Sequence, residues 1–290
     1  MRQPLSLLLT IALAACGSAA PAAPQAKPAM WKLSDPDTTI YLFGTVHVLP
    51  SDLKWRTTRF DQTVGQAKEL VLEINDQGDK AAIAQLYKRI AFSPGLPPIL
   101  DRVPADKRAA LAAAIEKAGL KPAQLDGMET WAVAVTLGAS MYAGMGASVD
   151  NGVESQLRSS FKDKPVAGLE TTAQQLGYFD TMPEAVQRKL LVSMVDDVKN
   201  ADVDFRKMVA AWSSGNTGAI ARTFDDELKS APEIARVLID QRNANWANWL
   251  KHRLDKPGTV LVAVGAGHLA GKGSVIDLLQ KQGLKVERVQ

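Results

Sequence analysis

The sequence has a single cysteine, few histidines and no large excess of either charge. Its one cysteine is Cys16, near the N-terminus, so no disulfide can form within the rest of the chain. The formal net charge is +3, and lysine and arginine do not form a block, so the chain lacks the basic patch typical of nucleic-acid-binding proteins. These features exclude a disulfide-stabilised scaffold and predict no nucleic-acid partner.

Long apolar runs are also scarce. Residues 131–149, WAVAVTLGASMYAGMGASV, carry no charge, but their glycines, serines, threonine and tyrosine favour a buried core helix over a membrane span. The run LSLLLTIALAA after Met1-Arg2 is too short for a permanent membrane helix. Its charged start, short apolar core and small residues are typical of a secretory signal.

The residues LAAC at 13–16 resemble a bacterial lipobox, in which the cysteine is lipidated and becomes the new N-terminus. We therefore expect a signal peptide over 1–15, a lipid on Cys16 and a Pro/Ala-rich tether through residue 29. Gly17 follows the cysteine and favours the outer membrane over the inner one. An ordinary signal peptide is the alternative. We expect a periplasmic protein of the bacterial envelope that is attached to the membrane by this anchor.

Patterns of strands and helices fill residues 30–290. Two apolar runs flank Asp35-Pro36-Asp37 and predict a hairpin. The runs ELVLEIN, KPVAGLE, TVLVAV and LKVERV predict further strands, and most of the middle of the chain has helical patterns. The sequence therefore predicts an α/β fold with a mixed sheet and a large helical insertion over about residues 76–163.

Four of the apolar runs end in a histidine or a glutamate. IYLFGTVH ends at His47, LVLE at Glu73, PVAGLE at Glu170 and LVAVGAGH at His268. Each run is consistent with a strand buried on both faces. Because ligands in α/β sheets bind at the carboxyl ends of the strands, we expect these side chains to meet at one edge of the sheet.

Both histidines have a Gly-x-x-His spacing. Gly44 precedes His47, and Gly265 and Gly267 precede His268. Glycine allows close approach of the backbone or a positive φ, so these glycines are candidate accessory residues. Two imidazoles with carboxylates suit a divalent ion such as Mn, Co or Zn, and a carboxylate outside the first shell can serve as a general base.

Several of these residues also have structural interpretations. A histidine at a strand end is commonly hydrogen-bonded to its surroundings, and Glu73 could be a solvated edge residue. Glu170 opens GLETTAQQL and could favour the start of a helix. Arg242 falls in a gap of an apolar helical stripe, so we expect it either to pair with a glutamate or to clamp a substrate carboxylate. His252 lies in a charged run and is expected to be solvated.

Six motifs resemble, in order, those of TraB/PrgY/GumN proteins. They are FGTVH, VLEI, NGVESQL at 151–157, KPVAGLETTAQQL at 164–176, RNANWANWL at 242–250 and VGAGHLAGKGSVIDLL at 264–279. The family includes the animal Tiki proteins, regarded as membrane-tethered metal-dependent peptidases. It is also similar to the erythromycin esterase and ChaN-like folds, the latter including a haem-binding lipoprotein.

The resemblance implies a site with one accessory position, Glu154, where relatives often have Asp. The site residues are His47, Glu73, Glu170, Arg242 and His268. The two histidines would be metal ligands, and the two glutamates and the arginine catalytic residues. The expected activity is metal-dependent hydrolysis of an amide or ester bond, in a peptide or a small molecule. A metal-free variant with a histidine base, and peptide or haem binding without turnover, are the alternatives. No oligomeric state is predicted.

Overall fold

The computed structural model describes residues 25–75, 80–143, 147–197, 200–229 and 231–290. The expected signal peptide, the lipidated Cys16 and the tether up to residue 24 lie outside the described residues. Within the described part of the chain, no helix combines the length and the apolar character needed to cross a bilayer.

A six-stranded mixed sheet forms the centre of the fold, with the spatial order β6-β4-β7-β2-β1-β8. Its strands are β1 (Met30–Ser34), β2 (Thr38–Thr45), β4 (Glu69–Ile74), β6 (Val166–Glu170), β7 (Gly258–Gly265) and β8 (Val286–Arg288). The strands β2, β7, β4 and β6 are parallel neighbours, whereas β1 is antiparallel to both β2 and β8. A second, two-stranded sheet pairs β3 (Leu49–Pro50) with β5 (Ala147–Ser148).

Helices account for most of the remaining described residues. They are α1 (Thr58–Gln66), α2 (Lys80–Ile90), α3 (Arg108–Lys117), α4 (Pro122–Leu125), α5 (Thr130–Ala143), α6 (Val153–Ser160), α7 (Thr172–Asp180), α8 (Glu184–Asp197), α9 (Ala201–Ser213), α10 (Thr217–Lys229), α11 (Pro232–Ala235), α12 (Gln241–Arg253) and α13 (Val275–Lys281). The predicted α/β fold with a mixed sheet is confirmed.

The predicted hairpin is confirmed as β1 and β2. The Asp35 carboxylate accepts the backbone N–H groups of Asp37 and Thr38, which closes the turn between the two strands. Alternate residues of the central strands face opposite cores. Phe43 and Leu261 pack on one side of the sheet, and Leu42 and Val262 pack on the other.

Two details of the strand and helix predictions are wrong. The strand β6 is not buried on both faces, because it lies at the sheet edge and most of its residues are partly or largely exposed. The uncharged stretch is a buried helix only over α5, because Ala147–Ser148 pairs with β3 and Val149–Asn151 forms a 3-10 turn.

A separate apolar core lies among the helices. Its buried members include Leu111 of α3, Trp131 and Leu137 of α5, and Leu191 of α8. Helix α7 packs on this core through Leu176 and Phe179, which are partly buried. Because α7 begins immediately after β6, it links the helical core to the edge of the sheet.

Candidate functional site

The parallel strands end together at one edge of the sheet. Thr45 pairs with Gly265, and Ile74 pairs with Glu170, so the ends of all four strands are in register. Glu73 is the next-to-last residue of β4, and Glu170 is the last residue of β6. His47 follows β2 by two residues, and His268 lies in a 3-10 turn, Ala266–Leu269, after β7.

The guanidinium of Arg242 lies at the centre of this edge. Its Nη2 is 2.7 Å from Glu73 Oε2 and 3.1 Å from Glu170 Oε2, and its Nε is 3.1 Å from both oxygens of Glu170. Its Nη1 is 3.2 Å from both Leu238 O and His268 Nε2. The guanidinium therefore donates hydrogen bonds from all three of its nitrogens to groups of the protein, so it pairs with the two glutamates as a structural ion pair would.

Two aromatic rings and a glutamine complete this cluster. The guanidinium carbon of Arg242 lies 4.6 Å from the Trp246 ring centroid and 5.9 Å from that of Tyr178. Gln175 Nε2 donates to both Glu73 and Glu170 at 3.1 Å. These contacts hold the two carboxylates and the guanidinium in one hydrogen-bonded network.

Glu73 is an ionised carboxylate at this edge. Burial by itself raises the pKa of Glu73, but the charge that His268 carries in acid, together with those of Arg242 and His47, outweighs burial and lowers it to about 2. The N–H of Gly265 also donates to Glu73 Oε1 at 2.7 Å. Glu73 is thus tied to β7 and to the guanidinium, which is not the environment of a solvated edge residue.

His268 is held as a neutral imidazole. Its Nε2 must accept from Arg242, because a guanidinium only donates, so the proton lies on Nδ1 and is donated to Asn243 Oδ1 at 2.7 Å. The ring also packs on Trp246, with centroids 4.5 Å apart. Burial lowers the pKa of His268 to about 4, and Arg242 contributes in the same direction.

His47 has the opposite environment. Its side chain is 68% exposed, and its Nδ1 lies 2.8 Å from Glu154 Oε1. The contact with the Glu154 carboxylate raises the pKa of His47 to about 9, so the imidazole is protonated at neutral pH. The accessory position Glu154 is therefore the direct partner of His47.

In the two Gly-x-x-His segments, Gly44 and Gly265 are needed because a side chain there would crowd its neighbours, not because the backbone has an unusual conformation. None of the three has a positive φ. A Cβ on Gly44 would come within 3.0 Å of Ala266 Cα, and one on Gly265 within 3.1 Å of Glu73 Oε1. Gly267 accepts the N–H of Ala270 at 3.3 Å in the turn that presents His268.

The sequence interpretation missed four residues of the site: Gln175, Tyr178, Asn243 and Trp246. Helical spacing carried a signal for three of them: Trp246 lies four positions after Arg242 on α12, and Gln175 and Tyr178 are three apart on α7. It carried none for Asn243, which is the next residue after Arg242 and does not share its helix face. His252 is as expected, with a side chain that is 81% exposed.

A divalent ion does not fit these side chains as they are placed. His268 Nε2 and the facing carboxylate oxygens already accept N–H groups from Arg242. His47 is protonated at neutral pH, and a histidine must lose that proton to bind a metal. Over the described ranges, no group of three or more His, Cys, Asp and Glu side chains is arranged to hold a metal ion. The prediction of Mn, Co or Zn between His47 and His268 is therefore not supported by this geometry.

The fold and site define an α/β protein with a polar cluster at the carboxyl edge of a mixed sheet, covered by helices. The chain belongs to the TraB/PrgY/gumN family, whose model matches residues 29–288. This match confirms the resemblance seen in the motifs.

The chain is similar to YbaP, named as an uncharacterized protein, from Escherichia coli strain K12 and from Shigella flexneri. In both cases the identity is 25% over 246 residues, which covers 83% of this chain and 87% of the relative. No solved structure matches the chain.

Proposed function

We propose that this protein hydrolyses amide or ester bonds, in a peptide or a small molecule, and that His47 transfers the proton. The pairing of His47 with Glu154 carries the proposal: Nδ1 is 2.8 Å from the carboxylate, while the ring is 68% exposed. A carboxylate on one ring nitrogen fixes the orientation of the imidazole and leaves Nε2 available to solvent or substrate.

In this reaction, His47 Nε2 takes a proton from the attacking water and returns it to the leaving amine or alcohol. Only the unprotonated ring can accept that proton, and the pKa of His47 is about 9. We therefore expect kcat/KM to increase about tenfold per pH unit at neutral pH and to level off near pH 9.

Glu73, Glu170 and Arg242 are positioning residues in this proposal. Their mutual hydrogen bonds tie the ends of β4 and β6 to α12, and the charges of Glu73 and Arg242 act on His47. A rigid support of this kind keeps a reacting group within a fraction of an ångström of its working position. The metal-independent form of the reaction is favoured because the facing donor atoms are already hydrogen-bonded.

The test is turnover of a library of fluorogenic peptides and esters by the purified chain. His47→Gln is expected to reduce turnover by about 10²- to 10⁴-fold, the usual contribution of acid–base catalysis. His252→Gln, at an exposed histidine on α12, is the matched control and is expected to leave turnover unchanged. Equal rates in wild type and His47→Gln would refute the role of His47. Binding of peptides without any turnover would favour the sequestering alternative.

Treatment with a chelator distinguishes a metal-independent hydrolase from a metal-dependent one. We expect turnover to be unchanged after metal is stripped and after Mn²⁺, Co²⁺ or Zn²⁺ is returned. Activity that is lost on stripping and restored by one of these ions would establish the metal-dependent form instead.

We also propose that the chain is anchored in the outer membrane through a lipid on Cys16. The support is the apolar run and the LAAC motif before this cysteine. Wild-type chain is expected in the outer-membrane fraction and the Cys16→Ser variant outside it. An unchanged distribution would contradict the anchor.

A further inference from the structure

A single arginine balances the buried negative charge at the sheet edge. The side chains of Glu73 and Glu170 are 13% and 5% exposed, and Arg242 contacts both of them. Burial by itself lowers the pKa of Arg242, but the two carboxylates outweigh burial and raise it. Without the guanidinium, the two carboxyl groups would share a water-poor site in which only neutral groups, such as Gln175 and the Gly265 N–H, donate to them, which is unfavourable for negative charge.

The atoms that surround the guanidinium belong to residue types that ligate metals, although they are not arranged around a metal position while Arg242 lies between them. Oxygens of Glu73 and Glu170 lie 2.7 and 3.1 Å from Nη2, and His268 Nε2 lies 3.2 Å from Nη1. Two carboxylates and one neutral imidazole suit divalent Mn, Fe, Co or Zn. Asn243 holds the other nitrogen of His268 at 2.7 Å, as an outer partner holds a ligating imidazole.

We infer that Arg242 is the resident cation of this cluster and takes the place of a divalent ion. The wild-type chain therefore binds no metal at these residues, and removal of the guanidinium converts them into a divalent-metal site. This assignment concerns Arg242, Glu73, Glu170 and His268, and it does not depend on the hydrolase activity.

A divalent ion is excluded because it would compete with Arg242 for the same ligand atoms. A divalent ion would need the Glu73, Glu170 and His268 lone pairs that now accept N–H groups from Arg242. The guanidinium would have to leave, because a second cation a few ångströms away would be repelled at low dielectric. Arg242 is also held by the Leu238 carbonyl and by the Trp246 ring, which keep it in place.

The experiment measures metal content and Tm for wild type and Arg242→Ala, first with chelator and then with Zn²⁺, Mn²⁺ or Co²⁺. For wild type we expect no stoichiometric metal and an unchanged Tm. For Arg242→Ala we expect a lower Tm in chelator, one bound ion per chain, and a rise in Tm of about 4–5 °C at a metal concentration about 100 times the Kd.

Three further variants make the result specific. Arg242→Ala combined with Glu73→Gln removes one ligand and is expected to lose the bound ion. Arg158→Ala is the matched control: Arg158 is also partly buried at this edge, but it donates to Asn75 Oδ1 and the Ile74 carbonyl. This control is expected to gain no metal. Arg242→Met keeps the apolar stem and replaces the alanine variant if that variant does not fold.

Three outcomes would overturn the inference. One is a wild-type chain that holds stoichiometric metal at this cluster and loses stability in chelator. Another is a folded Arg242→Ala or Arg242→Met variant that takes up no metal. The third is failure of both variants to fold even with metal present, because the vacated cluster would then not accept a divalent ion. None of these measurements uses turnover, so failure of the proposed activity would be seen separately.

Discussion

Two histidines with the same local sequence spacing have different partners and opposite charge states. His47 is exposed and paired with Glu154, so its pKa rises to about 9. His268 is buried against Arg242, so its pKa falls to about 4. The spacing that made both residues metal-ligand candidates does not encode these partners, because Glu154 and Arg242 come from helices far along the chain.

The depressed pKa of His268 makes the stability of the fold depend on pH. Between pH 6.5 and 4 the unfolded chain binds a proton that the folded chain does not, so stability falls as the pH falls. The loss approaches about 3 kcal/mol at pH 4. Glu73 adds a further loss only between pH 4.5 and about 2. His47 contributes stability below pH 6.5 that is lost as the pH rises through about 9.

His268→Gln separates these contributions, because it removes the imidazole and keeps a group that can accept from Arg242. We expect a lower Tm at pH 7 but a flatter decline between pH 6.5 and 4.5 than in wild type. Tm measured by calorimetry across this range checks the prediction. A decline as steep as that of wild type would assign the pH dependence to another group.

For the strands and helices, the sequence predicts where a strand ends better than it predicts whether a helix is regular. The apolar runs predicted β2, β4, β6 and β7 because each is a short, buried or half-buried segment next to a turn signal. The apolar stripe around Arg242 indicated a helix, but that helix is not α-helical throughout. A π-helical turn, Arg236–Asp240, separates α11 from α12, and the N–H of Gln241 donates to the Arg236 carbonyl.

The π-helical turn accompanies a tertiary contact that a periodic pattern does not contain. The Leu238 carbonyl within it accepts Arg242 Nη1 at 3.2 Å. Turns of this kind are frequent at functional sites because they change which residues face the site. The sequence pattern reports only which residues are apolar, so it could not distinguish this turn from regular helix.

The segment before α6 positions the loop that carries His47. The N–H of Val153 donates to the Val46 carbonyl at 3.1 Å, and a Cβ on Gly152 would clash with the carbonyl oxygen of His47. Gly152→Ala is therefore expected to displace His47, to destabilise the chain by about 1–3 kcal/mol and to reduce turnover at least tenfold.

Gly65→Ala is the matched control for Gly152→Ala. Gly65 lies in α1, and a Cβ there meets nothing within 4 Å. Alanine in a helix interior is expected to be neutral or to stabilise the fold by up to about 1 kcal/mol, with unchanged turnover. Chemical denaturation and the turnover assay check both variants. Equal behaviour of the two variants would show that Gly152 does not position His47.

At the scale of the whole molecule, the site exists because four parallel strands end in register. Glu73, Glu170 and His268 are far apart in the chain but meet because β4 lies between β6 and β7. The sequence predicted this meeting from strand ends, without the strand order. It did not predict that one guanidinium would contact both carboxylates and His268, because that depends on how α12 packs against the sheet.

The helices that carry the site residues pack on two different apolar cores. Trp246 on α12 packs in the core of the sheet, and Phe179 on α7 packs in the core of the helices. The same two helices carry Arg242 and Gln175 to the carboxylates. The cluster therefore joins the sheet to the helices. A change in its charges is expected to alter the stability of the whole chain as well as its activity.

The partners of the two site histidines give them opposite charge states. A nitrogen-15 NMR titration of the intact chain tests this most directly, because only three histidines contribute signals. At pH 7 we expect both ring nitrogens of His47 to be protonated, and His268 to be neutral with its proton on Nδ1. In Glu154→Gln the pKa of His47 should fall. A neutral His47 at pH 7, or a His268 that is charged or carries its proton on Nε2, would contradict the account.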